Sequence, residues 1–186
     1  MGEQRKQLIT VDQFRELARP TSAHLDDDEV NAYIRECEDS FIIPAIGYES
    51  FKASIGQGDF GDSVLSGFNA DTFIDGGEYY VGGKDSSGKD IKVLKYTSGI
   101  RKSLAYFVYA KILRSDGTIV SRSGAMRHRD DYSDHVDDSS IKQYNDIMDM
   151  AEKYLSDALE YLKHFTTKGE VKPQRGSRAH IHAIGD

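Results

Sequence analysis

The side chains best able to hold a metal ion gather in one polar stretch. His128, Asp130, Asp131, Asp134 and His135 lie close together, and imidazole and carboxylate are ordinary metal ligands. Their spacing matches no closed zinc or calcium loop, so they read as solvated charge. His180 and His182, in HIH, would share one side of a strand and supply at most a weak metal site. The run Asp26-Asp27-Asp28-Glu29 could face a phosphate or a cation. Acidic residues just ahead of an apolar-periodic segment also complement the positive end of a helix dipole, and capping is the reading adopted. The carboxylate pairs Asp27/Glu29 and Asp157/Glu160 fall on exposed faces of predicted helices, as do Glu152 and Lys153. Ser63 and Ser66 lack a G-x-S-x-G setting. The glycines between 56 and 96 form neither GxxxxGK[ST] nor GxGxxG. Cys37 is the one cysteine, so it has no internal disulfide partner, and it sits on an apolar helical face as a small core residue. No residue is assigned a catalytic, cofactor-binding or metal role. The expectation is a protein that is not an enzyme and carries no cofactor.

The elements that would position these residues are mainly helical. Thr97 to Leu113, TSGIRKSLAYFVYAKIL, is apolar nearly all round. Ile100, Leu104, Phe107, Val108 and Ile112 mark one face, and Ala105, Tyr106, Tyr109 and Leu113 cover most of the rest. Such a helix is normally covered on several sides. It is too short and too charged for a membrane span, and it reads as the central core helix, with Thr97 or Ser98 as cap.

Upstream, Thr10 and Gln13 fit a capping box for VDQFRELA, which Pro20 ends. A second helix follows the acidic run, with Val30, Tyr33, Ile34, Cys37, Phe41 and Ile42 on one face and a break at Pro44 to Gly47. A short piece follows over Tyr48 to Ile55. Residues 56–96 are glycine-rich, and two β-favouring strings there, Glu78 to Val81 and Ile91 to Tyr96, predict an inserted β-hairpin. Ser115 to Asp138 reads as a long polar loop. Ser139 or Ser140 then caps the longest helix, which runs to about Phe165. Its stripe of Ile141, Tyr144, Met148, Ala151, Leu155, Ala158, Leu162 and Phe165 is widened by Ile147, Tyr154 and Leu159, and Tyr144, Met148, Ala151 and Leu155 should pack on the Ile100, Leu104 and Phe107 face. The fold class is therefore mainly α: a small helical bundle of residues 1–165 with a β-hairpin insertion at about 56–96. The tail 166–186 should be extended or disordered.

Length permits one domain with a sizeable core, and charged residues make up 30% of the 186. A net charge of −7 argues against a surface that coats nucleic acid. The first ten residues, MGEQRKQLIT, lack the apolar run of a signal peptide, and Lys6 occupies the place a myristoylation motif gives to Ser or Thr, so an intracellular protein is expected. Charge is nonetheless patterned. Arg114, Arg122, Arg127 and Arg129 form a basic strip ahead of acidic Asp130, Asp131, Asp134 and Asp138. The tail is basic again at Lys168, Lys172, Arg175 and Arg178. Opposite strips on one chain suit head-to-tail self-association, as well as mere solubility.

The segments LITVDQFRELARP and DDDEVNAYIRECEDSFIIPAIGYESF, the alanine- and tyrosine-rich SLAYFVYAKIL, the SRSG stretch and the long YNDIMDMAEKYLSDALEYL together resemble head–tail connector (adaptor, or head-completion) proteins of tailed bacteriophages. The P-x-I-G step is similar to versions in prophages of Bacteroides-like bacteria. The resemblance spans residues 8–55 and 97–165, and the 56–96 region departs from shorter members. It implies a virion structural protein forming a ring of about a dozen copies between portal and tail, made in the host cytoplasm and retained in the virion. DNA would pass nearby without sequence-specific binding, and no membrane is involved. Intersubunit or partner contacts would fall on Arg122, Arg127, Arg129, Asp130, Asp131, Asp134, Lys172, Arg175 and Arg178. The alternatives are another tail-completion or capsid-associated protein, or a metal-dependent module or enzyme built on residues 128–135.

Overall fold

The computed structural model describes residues 5–19, 25–61, 64–84, 89–115, 118–121, 124–127 and 137–166, with backbone only at 115, 118–121, 124–127 and 137–141. Seven α-helices and two β-hairpins make up these residues, in the order α1 (Val11–Leu17), α2 (Asp27–Cys37), α3 (Ile43–Ile46), α4 (Tyr48–Ser54), α5 (Ala70–Asp75), β1 (Gly77–Lys84), β2 (Asp90–Thr97), α6 (Ile100–Ser115), β3 (Thr118–Ser121), β4 (Gly124–Arg127) and α7 (Asp137–His164). The mainly helical class with an inserted hairpin is thus the observed one.

Helix starts follow local chemistry. The Thr10 hydroxyl accepts from the Gln13 N–H at 3.2 Å, and the Gln13 side chain accepts from the Thr10 N–H at 3.0 Å, a complete capping box. Asp26 caps α2 by accepting from the Asp28 N–H at 3.0 Å. Between α2 and α3 the chain stays helical through a π turn at Glu38–Ile42, where the Ile43 N–H donates to the Glu38 carbonyl. Pro44, in the first turn of α3, has no N–H to give, and its ring would strike the carbonyl four residues back. A one-residue re-registration of the ladder accommodates it without ending the helix. The break comes later, at Gly47, whose φ is +82°.

Helix α6 is the centre, as its composition predicts. Leu104, Ala105, Phe107, Val108 and Ala110 are all essentially inaccessible to solvent. Phe107 stacks flat on Phe41 at 4.3 Å, on the α2 side of the helix. The neighbouring face meets α7: the Ser103 hydroxyl donates to the Ala151 carbonyl at 3.1 Å, and Tyr106 meets Tyr154 edge to face at 5.1 Å. The face turned to α7 therefore includes Ser103 and Tyr106, and Phe107, one turn on from Ser103, also reaches Phe41. On α7 the buried line is Ile147, Ala151, Ala158, Tyr161 and Leu162, whereas Tyr144, Met148 and Leu155 are only partly buried.

The insertion is more varied than predicted. Strands occupy only Gly77–Lys84 and Asp90–Thr97, paired antiparallel from Gly77 opposite Thr97 to Lys84 opposite Asp90. The glycine-rich half ahead of them holds α5, capped by Asn69, which accepts from the Asp71 N–H at 2.9 Å. Phe60, Phe68 and Phe73 there join Tyr79, Tyr161 and Phe165 in one aromatic cluster. Tyr161 anchors it: its hydroxyl donates to the Asn69 carbonyl at 3.0 Å and accepts from the Asn69 N–H at 2.8 Å. Part of the expected polar loop is also ordered as a second hairpin, β3–β4, with Ile119 opposite Met126. Val64 bridges Thr166, so the chain beyond α7 pairs back onto the domain for at least one residue.

Two glycines let the hairpin base meet α6. Gly76 and Gly99 have φ of +93° and +78°. A Cβ on Gly99 would lie 2.4 Å from the Gly76 nitrogen, and one on Gly76 would lie 2.8 Å from the Ser98 carbonyl carbon. Gly99→Ala should cost about 3 kcal/mol or more, from backbone strain plus collision. Gly56→Ala has the same sign of φ but open space around it, and should cost about 1 kcal/mol. Urea unfolding of both variants checks this, and equal losses would show that the close approach is not what constrains Gly99.

Candidate functional site

Most residues singled out for chemistry or contact lie outside the described set: Arg122, Arg129, Asp130, Asp131, Asp134, Lys172, Arg175 and Arg178, with His128, His135, His180 and His182. Arg127 is the last residue of β4, described by its backbone. Among the described residues no group of three or more His, Cys, Asp or Glu could hold a metal ion, and no helix is long and apolar enough to cross a membrane.

The remaining candidates take ordinary structural positions. Asp27 pairs with Arg15 of α1 at 2.6 Å, and Glu29 accepts from the Tyr33 hydroxyl at 3.1 Å. Glu160 is ion-paired with Lys95 of β2, so it tethers the hairpin to α7. Burial raises the pKa of Asp157, against the opposing pull of Lys153. Cys37 is wholly buried, and burial pushes its thiol up to about 12. It is therefore a protonated core group, not a nucleophile.

One charged node escaped the sequence reading. Glu38 opens the π turn with no exposed surface. It accepts from the Leu8 N–H at 2.6 Å and from Arg5 at 2.9 Å, and Arg5 also reaches Asp39 at 2.7 Å. The Leu8 carbonyl in turn accepts from Arg101 of α6 at 2.9 Å, and Arg101 pairs with Asp75 of α5 at 2.6 Å. The N-terminal segment is thus tied to the π turn and to α6 through both backbone polar groups of buried Leu8, and through Arg101 to α5. The apolar face of α2 gave no hint of it, because an isolated glutamate continuing that helix looks solvated until Leu8 is laid against it.

A surface also emerges. The β1–β2 hairpin turns Tyr79 and Val81 inward, with Tyr79 edge-on to Tyr161 at 4.8 Å. Between hairpin and α7 lies an open cleft of about 510 Å³, lined by Tyr79, Val81, Gly82, Lys95, Glu160, Lys163 and His164. Across from it, the outward face carries the cross-strand pairs Glu78/Tyr96, Tyr80/Leu94 and Gly82/Lys92. Tyr80, Leu94 and Tyr96 there remain 63%, 49% and 64% exposed. Adjacent exposed apolar side chains of this size, on a strand pair with polar ends, have the character of an interaction surface rather than of a reaction centre. The alternation within Glu78 to Val81 marks a strand. Both of its faces carry tyrosine or an aliphatic residue, however, so sequence alone could not say which face is covered.

The Glu38 node has a measurable pH signature. Burial raises its pKa above the ordinary glutamate value, while the Leu8 N–H and Arg5 act to lower it. A carboxyl with a folded-state pKa above its unfolded one stabilises fully below the unfolded value, about 4.3. That contribution is lost as pH rises through the folded-state pKa. The stability of wild type relative to Glu38→Gln should therefore fall on going from about pH 4 to neutrality. Chemical denaturation across that range checks it, and a difference that is flat or grows with pH refutes the assignment.

No curated protein and no solved structure matches the chain. A family model does, over residues 64–168, the segment running from the Val64 bridge through α5, the first hairpin, α6, the second hairpin and α7. That match covers more than half of the 186 residues, and the chain belongs to the family of unknown function DUF6712.

Proposed function

We propose that this chain is a structural assembly protein, a head–tail connector of a tailed phage or prophage that forms a ring between portal and tail. The observation that carries the reading is the exposed Tyr80, Leu94 and Tyr96 face on a hairpin held firmly to the bundle. A protein whose work is to join others needs such a surface on a rigid support. The arrangement of two capped N-terminal helices, a buried central helix and a long final helix supports the resemblance that prompted it. In this reading the protein catalyses nothing and needs no cofactor. Its partners are further copies of itself together with portal and tail proteins. The net charge of −7 suits a channel wall that lets DNA pass without gripping it. Arg122, Arg127, Arg129, Asp130, Asp131 and Asp134, with Lys172, Arg175 and Arg178 in the tail, would supply charged contacts between subunits or to the portal. The protein would work in the host cytoplasm during assembly and remain in the virion.

Co-incubation with the purified portal ring, followed by electron microscopy, tests the proposal, and a stable ring of this chain on the portal is the expected result. Because Thr166 pairs with Val64, truncation should begin after it. Removing 167–186 should leave thermal unfolding unchanged and reduce ring formation several-fold. No co-assembly under conditions where the portal itself is intact would overturn the connector reading.

A further inference from the structure

We propose that the outward face of the β1–β2 hairpin is a self-complementary docking surface for the same face of a second copy of this chain. Residues directly opposite each other in an antiparallel pair share a face. The outward face therefore reads, from base to tip, Glu78/Tyr96, Tyr80/Leu94, Gly82/Lys92. Acid lies toward the base, apolar groups occupy the centre, and a lysine beside a glycine lies toward the tip. All of these positions are exposed.

Two such faces can meet about a two-fold axis that lies between them and runs across the strands through the Tyr80/Leu94 pair. Each strand then lies over the same strand of the other copy, reversed in direction. Tyr80 faces the partner's Tyr80 and Leu94 faces the partner's Leu94. Positions about 7 Å along the strand exchange, so Glu78 lies over the partner's Gly82 and Tyr96 over the partner's Lys92. Nothing approaches within 4 Å of where a Gly82 side chain would begin, which leaves a hollow for the Glu78 carboxylate beside the Lys92 ammonium. The same ammonium lies over the Tyr96 ring, a cation–π arrangement. Turning the axis along the strands instead sets Glu78 over Tyr96 and Lys92 over Gly82, with no charge pairing. The charge order thus selects one arrangement.

The face measures roughly 25 Å by 10 Å, or about 250 Å² per copy, against about 800 Å² for a standard stable interface. The pairing is accordingly weak and concentration-dependent. It rests on described residues alone and uses the same Tyr80, Leu94 and Tyr96 face as the connector reading, without requiring that reading.

Sedimentation equilibrium of the full chain at low ionic strength, taken up to millimolar protein, tests it. Wild type should show a monomer–dimer equilibrium. Glu78→Lys alone and Lys92→Glu alone should each weaken dimerisation about tenfold or more, with circular dichroism unchanged. The double variant Glu78→Lys/Lys92→Glu should recover most of the wild-type association. Leu94→Asp should abolish it. Absence of any dimer, single variants that associate as well as wild type, or a double variant that fails to recover would each overturn the pairing. A large oligomer unmoved by Glu78→Lys also overturns it while leaving the connector reading standing. Swap-and-recover behaviour without portal co-assembly supports the pairing and removes the connector.

Discussion

The close passage of Gly76 against Gly99 governs the rest of the architecture. At this point the chain leaves α5, and twenty-odd residues later it starts α6, with a whole hairpin in between. Backbone lies on backbone there, at a distance no side chain could share. Because Gly77 pairs with Thr97 immediately above the crossing, the hairpin springs from a fixed base. The Thr97 hydroxyl accepts from the Gly99 N–H at 3.3 Å, so the residue that ends the second strand also orders the approach to the central helix. Helix α6 has almost no amphipathic character and could not orient itself by hydrophobicity alone. The crossing fixes where it starts, and polar contacts fix its rotation: Ser103 to Ala151 on one side, Arg101 to Leu8 and Asp75 on another, and Lys111 to Glu36 at 2.5 Å on a third.

How far the sequence disclosed this depended on the range of the forces involved. Capping at Thr10 and Asp26 was legible because it is a contact within one turn, between residues three or two apart. The buried centrality of α6 was legible because composition alone betrays a helix apolar all round. The strand strings were legible through β-branched and aromatic content. By contrast, α5 was hidden in a glycine-rich stretch. Its evidence is a single Asn cap and two aromatic residues whose partners, Tyr161 and Phe165, lie some ninety positions away. On α7 the expected Ile147, Ala151, Ala158 and Leu162 are buried, and Tyr161 joins them with its hydroxyl closed on Asn69, a long-range bond that periodicity cannot anticipate.

The same division applies to the surface. Ligand-type residues drew attention through their chemistry, yet those that are described turn out to be caps and tethers, such as Asp26, Asp27 and Glu160. The residues with most to offer a partner, Tyr80, Leu94 and Tyr96, are chemically bland and become conspicuous only when the register shows them together on an uncovered face. Glu38 is the reverse case, a charged residue whose work is wholly internal. Burying it is tolerable because each carboxylate oxygen has a donor, and the result is a rigid seam between the N-terminal segment and the bundle.

The bridge between Val64 and Thr166, reinforced by the Leu65 N–H donating to the Phe165 carbonyl at 2.7 Å, brings the beginning and the end of the family-matched segment side by side. That segment is therefore a closed excursion: the polypeptide departs and returns at one address on the surface. Whatever precedes Val64 or follows Thr166 can change in length without stretching the excursion, provided something still roofs the flank of α6 that α1 and α2 now cover. Evolution can treat such a unit as a cassette, keeping the closed portion while trading its flanking pieces.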